Sequence, residues 1–165
     1  MSQHPPFLSR SHPSDYALGH YLWDINQTKE PMKNQTLKSV VAVLAGFIFI
    51  GVTHTTTDAI LESAGVLPKG HLNVSAGLVS LVIFYRAVLS FVGCYITARL
   101  APNNPMKHAL ILGGIGTVLS MAGAIVTADM NIGPAYYAWT LVVMALPIAW
   151  LAGKLQQSRS MRVAA

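Results

Sequence analysis

The chain has 165 residues, of which 53% are hydrophobic and only 10% charged, against roughly a quarter charged in ordinary soluble domains. Four separate stretches lack charge almost entirely, each long enough for a lipid-facing helix, which disfavours one soluble core and points to a single all-α membrane domain. The net charge of +5 comes without a basic patch interleaved with exposed aromatics, so it argues for membrane topology and anionic headgroups rather than nucleic acid.

Residues 1–36 read as a polar tail. They contain several prolines and no sustained helical period, so they are neither a signal peptide nor a fifth span. A disordered tail is the simplest reading; a small apolar patch, Tyr16, Leu18, Tyr21, Leu22, Trp23 and Ile25, also suits a short interfacial helix or a peptide that docks on a partner. Met32 offers an alternative start that would remove the patch.

The four spans are predicted at about 37–61, 74–100, 106–129 and 133–154, followed by a short basic tail, 155–165. At about 1.5 Å rise per residue, roughly 20 residues cross the hydrocarbon, so each segment suffices. Ala101-Pro102-Asn103-Asn104-Pro105 closes the second helix and opens the third, because proline lacks an amide hydrogen and disfavours helical geometry in the residue before it. Gly133-Pro134 marks the start of the fourth, with Asn131 as a cap. Pro147 lies within that helix and predicts a kink.

Charge placement predicts an orientation. With both termini inside, the cytoplasmic face receives Arg10, Lys29, Lys33, Lys38, Arg99, Lys107, Lys154, Arg159 and Arg162 of the 11 basic residues. Asp58, Glu62 and Asp129 fall at the outer face with Lys69. Basic residues in short cytoplasmic flanks orient helices during insertion, so a four-helix, N-in/C-in bundle is expected.

Arg86 is the residue that composition leaves unexplained. It sits near the middle of the apolar run from Val74 to Leu100, where a cation needs a partner, a water path or a polar groove. The outer third of the first helix is polar: His54, Asp58 and Glu62 recur every four residues and stack on one face, among Thr55, Thr56 and Thr57. Counting along the helices places Arg86 about 18 Å below the outer end, His54 about 10 Å and Asp58 about 5 Å. The pairing closest in depth is therefore Arg86 with His54 or the hydroxyls of Thr53 and Thr57, then Asp58. Three readings follow: a structural network between the first two helices, a site for an anionic lipid, quinone or small anion, or a proton-shuttling catalytic site. No nucleophile–base set is recognisable, so no catalytic residue is assigned and an enzyme is disfavoured. His54 and Asp58 have only part of a metal shell, with Glu62 or distant His71 as a third ligand, and no metal is expected. His54 and His108 fall on opposite faces, which disfavours a transmembrane haem. His71 reads as a solvated loop residue.

Cys94 is the only cysteine, inside the second helix, which removes disulfide and CxxC chemistry and leaves a small buried hydrophobe. In the third helix, Gly116, Ser120 and Ala124 fall on one face and Gly113, Thr117 and Met121 on the next, a spacing that lets backbones approach closely; Gly93 and Thr97 repeat it in the second. The third helix is therefore expected at the bundle centre, with a homodimer seam as the rival. Tyr136, Tyr137 and Trp139 at one end of the fourth helix and Trp150 at the other look like interfacial anchors on a lipid-exposed helix.

The run YRAVLSFVGCYITARLAPNNPMKHALILGGIGTVLSMAG, with Gly133-Pro134 and ALPIAWLAGKL, resembles a family of small, uncharacterised bacterial four-helix inner-membrane proteins that share the order YR, glycine, TARLAP and PM-HA. The resemblance covers about half the chain. It implies a multi-pass protein of the bacterial inner membrane and marks Arg86, Arg99, Pro102, Pro105, His108 and Gly116 as pattern residues, but it brings no reaction; the tail lies outside it.

Three functions fit. An accessory or interaction subunit of a larger membrane complex requires the fewest unexplained residues. An oligomeric transporter or channel for a small solute or anion is the second, although no inverted repeat relates the two helix pairs. The third is an enzyme acting on a lipid or quinone through His54, Asp58 and Arg86. Membrane lipids and other subunits or further copies of the chain are the expected partners; no cofactor is predicted, with a bound lipid or quinone as the alternative.

Overall fold

The computed structural model describes residues 32–130 and 132–163. These form four helices in chain order: α1 (Met32–Ser63), α2 (Ala76–Leu100), α3 (Pro105–Thr127) and α4 (Ala135–Val163). All four are long and apolar enough to cross a membrane. The tail patch at Tyr16, Tyr21, Leu22, Trp23 and Ile25 and the cap at Asn131 lie outside the described residues.

Two helices are longer than their apolar cores. α1 starts five residues before the predicted span, because Lys33-Asn34-Gln35-Thr36 contains no helix breaker. α4 likewise runs through the segment read as a basic tail, since nothing after Gly153 stops a helix. The backbone stays helical across Pro147. Between α2 and α3 the chain turns at Asn104, whose φ of 44° lies in the left-handed region that asparagine tolerates.

Neighbouring helices run antiparallel, as the close contacts show. On α1 and α2, Ala42 meets Thr97, Gly46 meets Gly93, and His54 meets Arg86 and Ser90. On α3 and α4, Ala109 and Met106 meet Gly153, and Gly113 meets Ala149. Among α2, α3 and α4, the helix that packs most extensively on the other two is α4. The aromatic residues Tyr136, Trp139 and Trp150 point outward as interfacial anchors would, while Ala149 and Ala152 of the same helix are completely buried. α4 thus has one lipid-facing side and one core side.

Small side chains make up much of the core. Ala42, Ala98, Ala109, Ala149 and Ala152 are buried with Cys94 and Leu112, whereas Phe84, Val118, Val126 and Val143 stand exposed. In lipid, no hydrophobic force drives helices together, so close van der Waals contact between small residues holds them and large apolar residues face the acyl chains. Gly46 is the tightest point: a Cβ there would meet the Thr97 hydroxyl and come within 2.6 Å of the Gly93 carbonyl. Thr97 is fully buried, and its hydroxyl donates to the Ala42 carbonyl at 3.1 Å. Of the packing residues expected on α3, Gly113 sits against Ala149 and Ala124 is buried. Gly116 touches nothing a Cβ would reach and borders a cavity with Ser120.

Two loops cover the end of the bundle where α1 finishes and α2 begins. The α1–α2 connection turns at Gly65 and Gly70, both at positive φ. Its Leu72 amide donates to the Ile132 carbonyl of the α3–α4 loop, so the two connections are joined above the helices.

Candidate functional site

Arg86 and Asp58 form an ion pair between α2 and α1 through Nη2 and Oδ2. The second carboxylate oxygen, Oδ1, accepts the phenolic proton of Tyr85, so both oxygens of Asp58 are engaged by α2. The side chains keep 24% and 30% exposure, respectively, for Arg86 and Asp58. One turn deeper, His54 Nε2 lies 3.3 Å from the Arg86 carbonyl and 3.5 Å from Ser90 Oγ.

This corrects the expected order of partners. The Arg86 guanidinium takes Asp58, while His54 contacts only its backbone. Thr53 bonds back to the Phe49 and Ile50 carbonyls of its own helix, and among the described residues Thr57 makes no hydrogen bond to Arg86. The stacked face of α1 also splits: Asp58 and Glu62 line a small cavity under the loop with His71, and His54 turns inward. Among the described residues, no group of three or more His, Cys, Asp or Glu side chains is placed to hold a metal ion.

Arg86 borders three cavities. The central one, about 220 Å³, lies between all four helices. Its walls are apolar, with Phe47, Ile50, Leu112, Met144 and Ile148, and its polar groups are His54, Arg86, Ser90 and Ser120. The outer one, about 460 Å³, lies between the end of α3 and the start of α4, where Tyr137, Thr127 and Trp139 join Arg86 and Ser120. Arg86, Leu119, Ser120 and Leu141 belong to both, so the two adjoin. The third, about 160 Å³, is the space beneath the loop. The outer cavity alone is within the range of small-molecule sites, roughly 300–1,000 Å³.

The guanidinium is not fully satisfied by its pair. Nε of Arg86 is buried and has no hydrogen-bond partner among the described residues. A buried donor of a charged group left unpaired is costly, on the order of 1–3 kcal/mol, and asks for an acceptor from water or a ligand. Toward the other end of the helices, Thr97, Ala98, Ala109 and Ala152 are all buried.

Sequence reasoning missed Tyr85, Ser90 and Tyr137. Tyr85 adjoins Arg86 but was read only as part of a pattern, and an aromatic in a span usually faces lipid. Its one available signal was the phenol, a donor that needs a partner at that depth. His108, one of the pattern residues, is buried near the opposite end with Nδ1 3.2 Å from the Asn104 carbonyl, where it holds the start of α3.

Comparison of the chain with protein-family models, with curated proteins and with solved structures finds no match.

Proposed function

We propose that this small α-helical membrane protein binds a single-chain amphiphile, such as an anionic lipid or a quinone, with its polar head at Arg86 and one end of its apolar portion in the central cavity. The observation that carries this reading is the position of Arg86 at the junction of an apolar interior cavity and a more polar outer one, with its buried Nε unpaired. A head bearing a carboxylate, phosphate or carbonyl oxygen is a charge-assisted acceptor for the guanidinium. The apolar walls suit a hydrocarbon or isoprenoid chain. The burial of Thr97 and Ala152 toward the other end supports holding a ligand over conducting a solute.

The bilayer orientation in this reading is N-in/C-in, supported by Lys38, Arg99, Lys107, Lys154, Arg159 and Arg162 at one end and Asp58, Glu62 and Asp129 at the other. The site then opens toward the outer leaflet. The resemblance to bacterial four-helix proteins supports a bacterial inner membrane as its location. Within a larger complex, the same site would make the chain the ligand-holding subunit.

The test is extraction and mass spectrometry of small molecules that co-purify with the full chain in mild detergent. Wild type is expected to carry an amphiphile in a fixed ratio. Gly116→Leu, which fills the central cavity from a position where added atoms meet open space, is expected to remain folded and lose it. Arg86→Gln is expected to lose it as well. A wild-type preparation free of any amphiphile, or equal retention by Gly116→Leu, overturns the reading.

A further inference from the structure

A second candidate site lies at the basic end of the bundle. Between the last turns of α2 and α4 is an open groove of about 440 Å³ lined by Tyr95, Arg99, Gln156, Arg159 and Ser160. Arg159 Nη1 donates to the Tyr95 hydroxyl at 3.2 Å, and the guanidinium lies 5.8 Å from the centre of the same ring. That bond uses a lone pair of the phenol and leaves its proton free to donate. Gln156 Oε1 is buried without a hydrogen-bond partner among the described residues. The described acids, Asp58, Glu62 and Asp129, belong to the opposite end of the helices, so no described carboxylate neutralises Arg99 or Arg159 there.

The depth fits a phosphate. Lys154 Nζ sits 4.6 Å from the centre of the Trp150 ring, the arrangement of an interfacial tryptophan with a lysine reaching toward water. Gln156 follows Trp150 by six residues, about 9 Å further along the helix, which is headgroup depth beyond the hydrocarbon edge.

We propose that this groove holds the headgroup of an anionic glycerophospholipid, its phosphodiester between Arg99 and Arg159. The Tyr95 hydroxyl donates to a phosphate oxygen. Two guanidinium groups give planar, multiple-donor recognition of phosphate that scattered lysines do not. The groove is separate from the Arg86 cavities, and the proposal does not rest on them.

The experiment is native mass spectrometry of the full-length protein released from nanodiscs of equal phosphatidylglycerol and phosphatidylcholine, with stepwise delipidation. Wild type is expected to retain one phosphatidylglycerol after phosphatidylcholine is lost. Arg99→Gln with Arg159→Gln is expected to weaken that retention at least ten-fold, because it removes the charge-assisted hydrogen bonds to the phosphate and not only general attraction to the surface. Lys38→Gln with Lys107→Gln removes the same charge from the same end and is expected to change it less than three-fold. Helical circular dichroism identifies any misfolded variant, and Arg99→Lys with Arg159→Lys is expected to recover part of the binding. Equal loss in the two neutralised pairs overturns the proposal, since it leaves only general attraction to a basic end. Displacement of the lipid by millimolar inorganic phosphate also overturns it, because it identifies a free-anion site.

Discussion

Arg86 of α2 is bound to Asp58 of α1 by a guanidinium–carboxylate pair that also engages the neighbouring Tyr85. The pair ties the two helices together and fixes the guanidinium at the mouth of the central cavity. A carboxyl group left alone can take up a proton, whereas an arginine cannot shed its charge. Asp58→Asn is therefore expected to destabilise more than Arg86→Gln. With both side chains partly exposed, the losses are expected at about 2–3 and about 1–2 kcal/mol, with the double variant recovering part of the sum. Reversible unfolding in mixed micelles measures all three; additive losses would show that the pair has no coupling.

Helix contact at Gly46 gives a second expectation. Gly46→Ala drives a methyl group into the Thr97 hydroxyl and the Gly93 carbonyl, neither of which is the end of a flexible chain. Overpacking of this kind costs about 1–3 kcal/mol. Gly114→Ala, where nothing lies within 4 Å, is expected within about 0.5 kcal/mol of wild type. The same unfolding assay compares them.

The four spans were legible because charge is absent from them, and the break between α2 and α3 because Pro102 and Pro105 frame it. That Arg86 needs a partner was legible because a cation in an apolar run has few innocent explanations. The partner itself was not. Counting depth from Leu61 and Val74 separates Asp58 from Arg86 by about 13 Å, but α1 continues to Ser63 and α2 starts at Ala76, which reduces the separation to about 7.5 Å. An arginine side chain spans that distance. Gly46 was overlooked because a lone glycine in an apolar run does not reveal which face carries the contact; that depends on helix rotation, which periodicity in a uniformly apolar segment does not encode.

Cys94 reports on the central cavity, since it is 3% exposed and lines that space. Small apolar thiol reagents are expected to modify it at least ten-fold faster than charged ones of similar reactivity. Filling the cavity with Gly116→Leu is expected to slow the apolar reagent. Equal rates for both reagents would mean that the thiol reacts from solvent.

Orientation is accessible with single cysteines placed in a Cys94→Ala background. Lys69→Cys, in the α1–α2 loop, is expected to react with an impermeant maleimide in intact cells, and Arg162→Cys only after permeabilisation. The reverse pattern would place the Arg86 site toward the cytoplasm.

The most direct measurement is photo-crosslinking of the full-length protein in nanodiscs with single-chain amphiphiles, a fatty acid and a quinone among them, that carry a diazirine within the tail. Peptide mass spectrometry then maps where the tail lies. Binding in the cavity is expected to give saturable adducts on its wall, at Leu112, Met144 and Ile148, abolished by Gly116→Leu. Adducts confined to the outward residues Phe84, Val118, Val126 and Val143, rising without saturation, would contradict it and leave Arg86 and Asp58 as a structural tie between two helices.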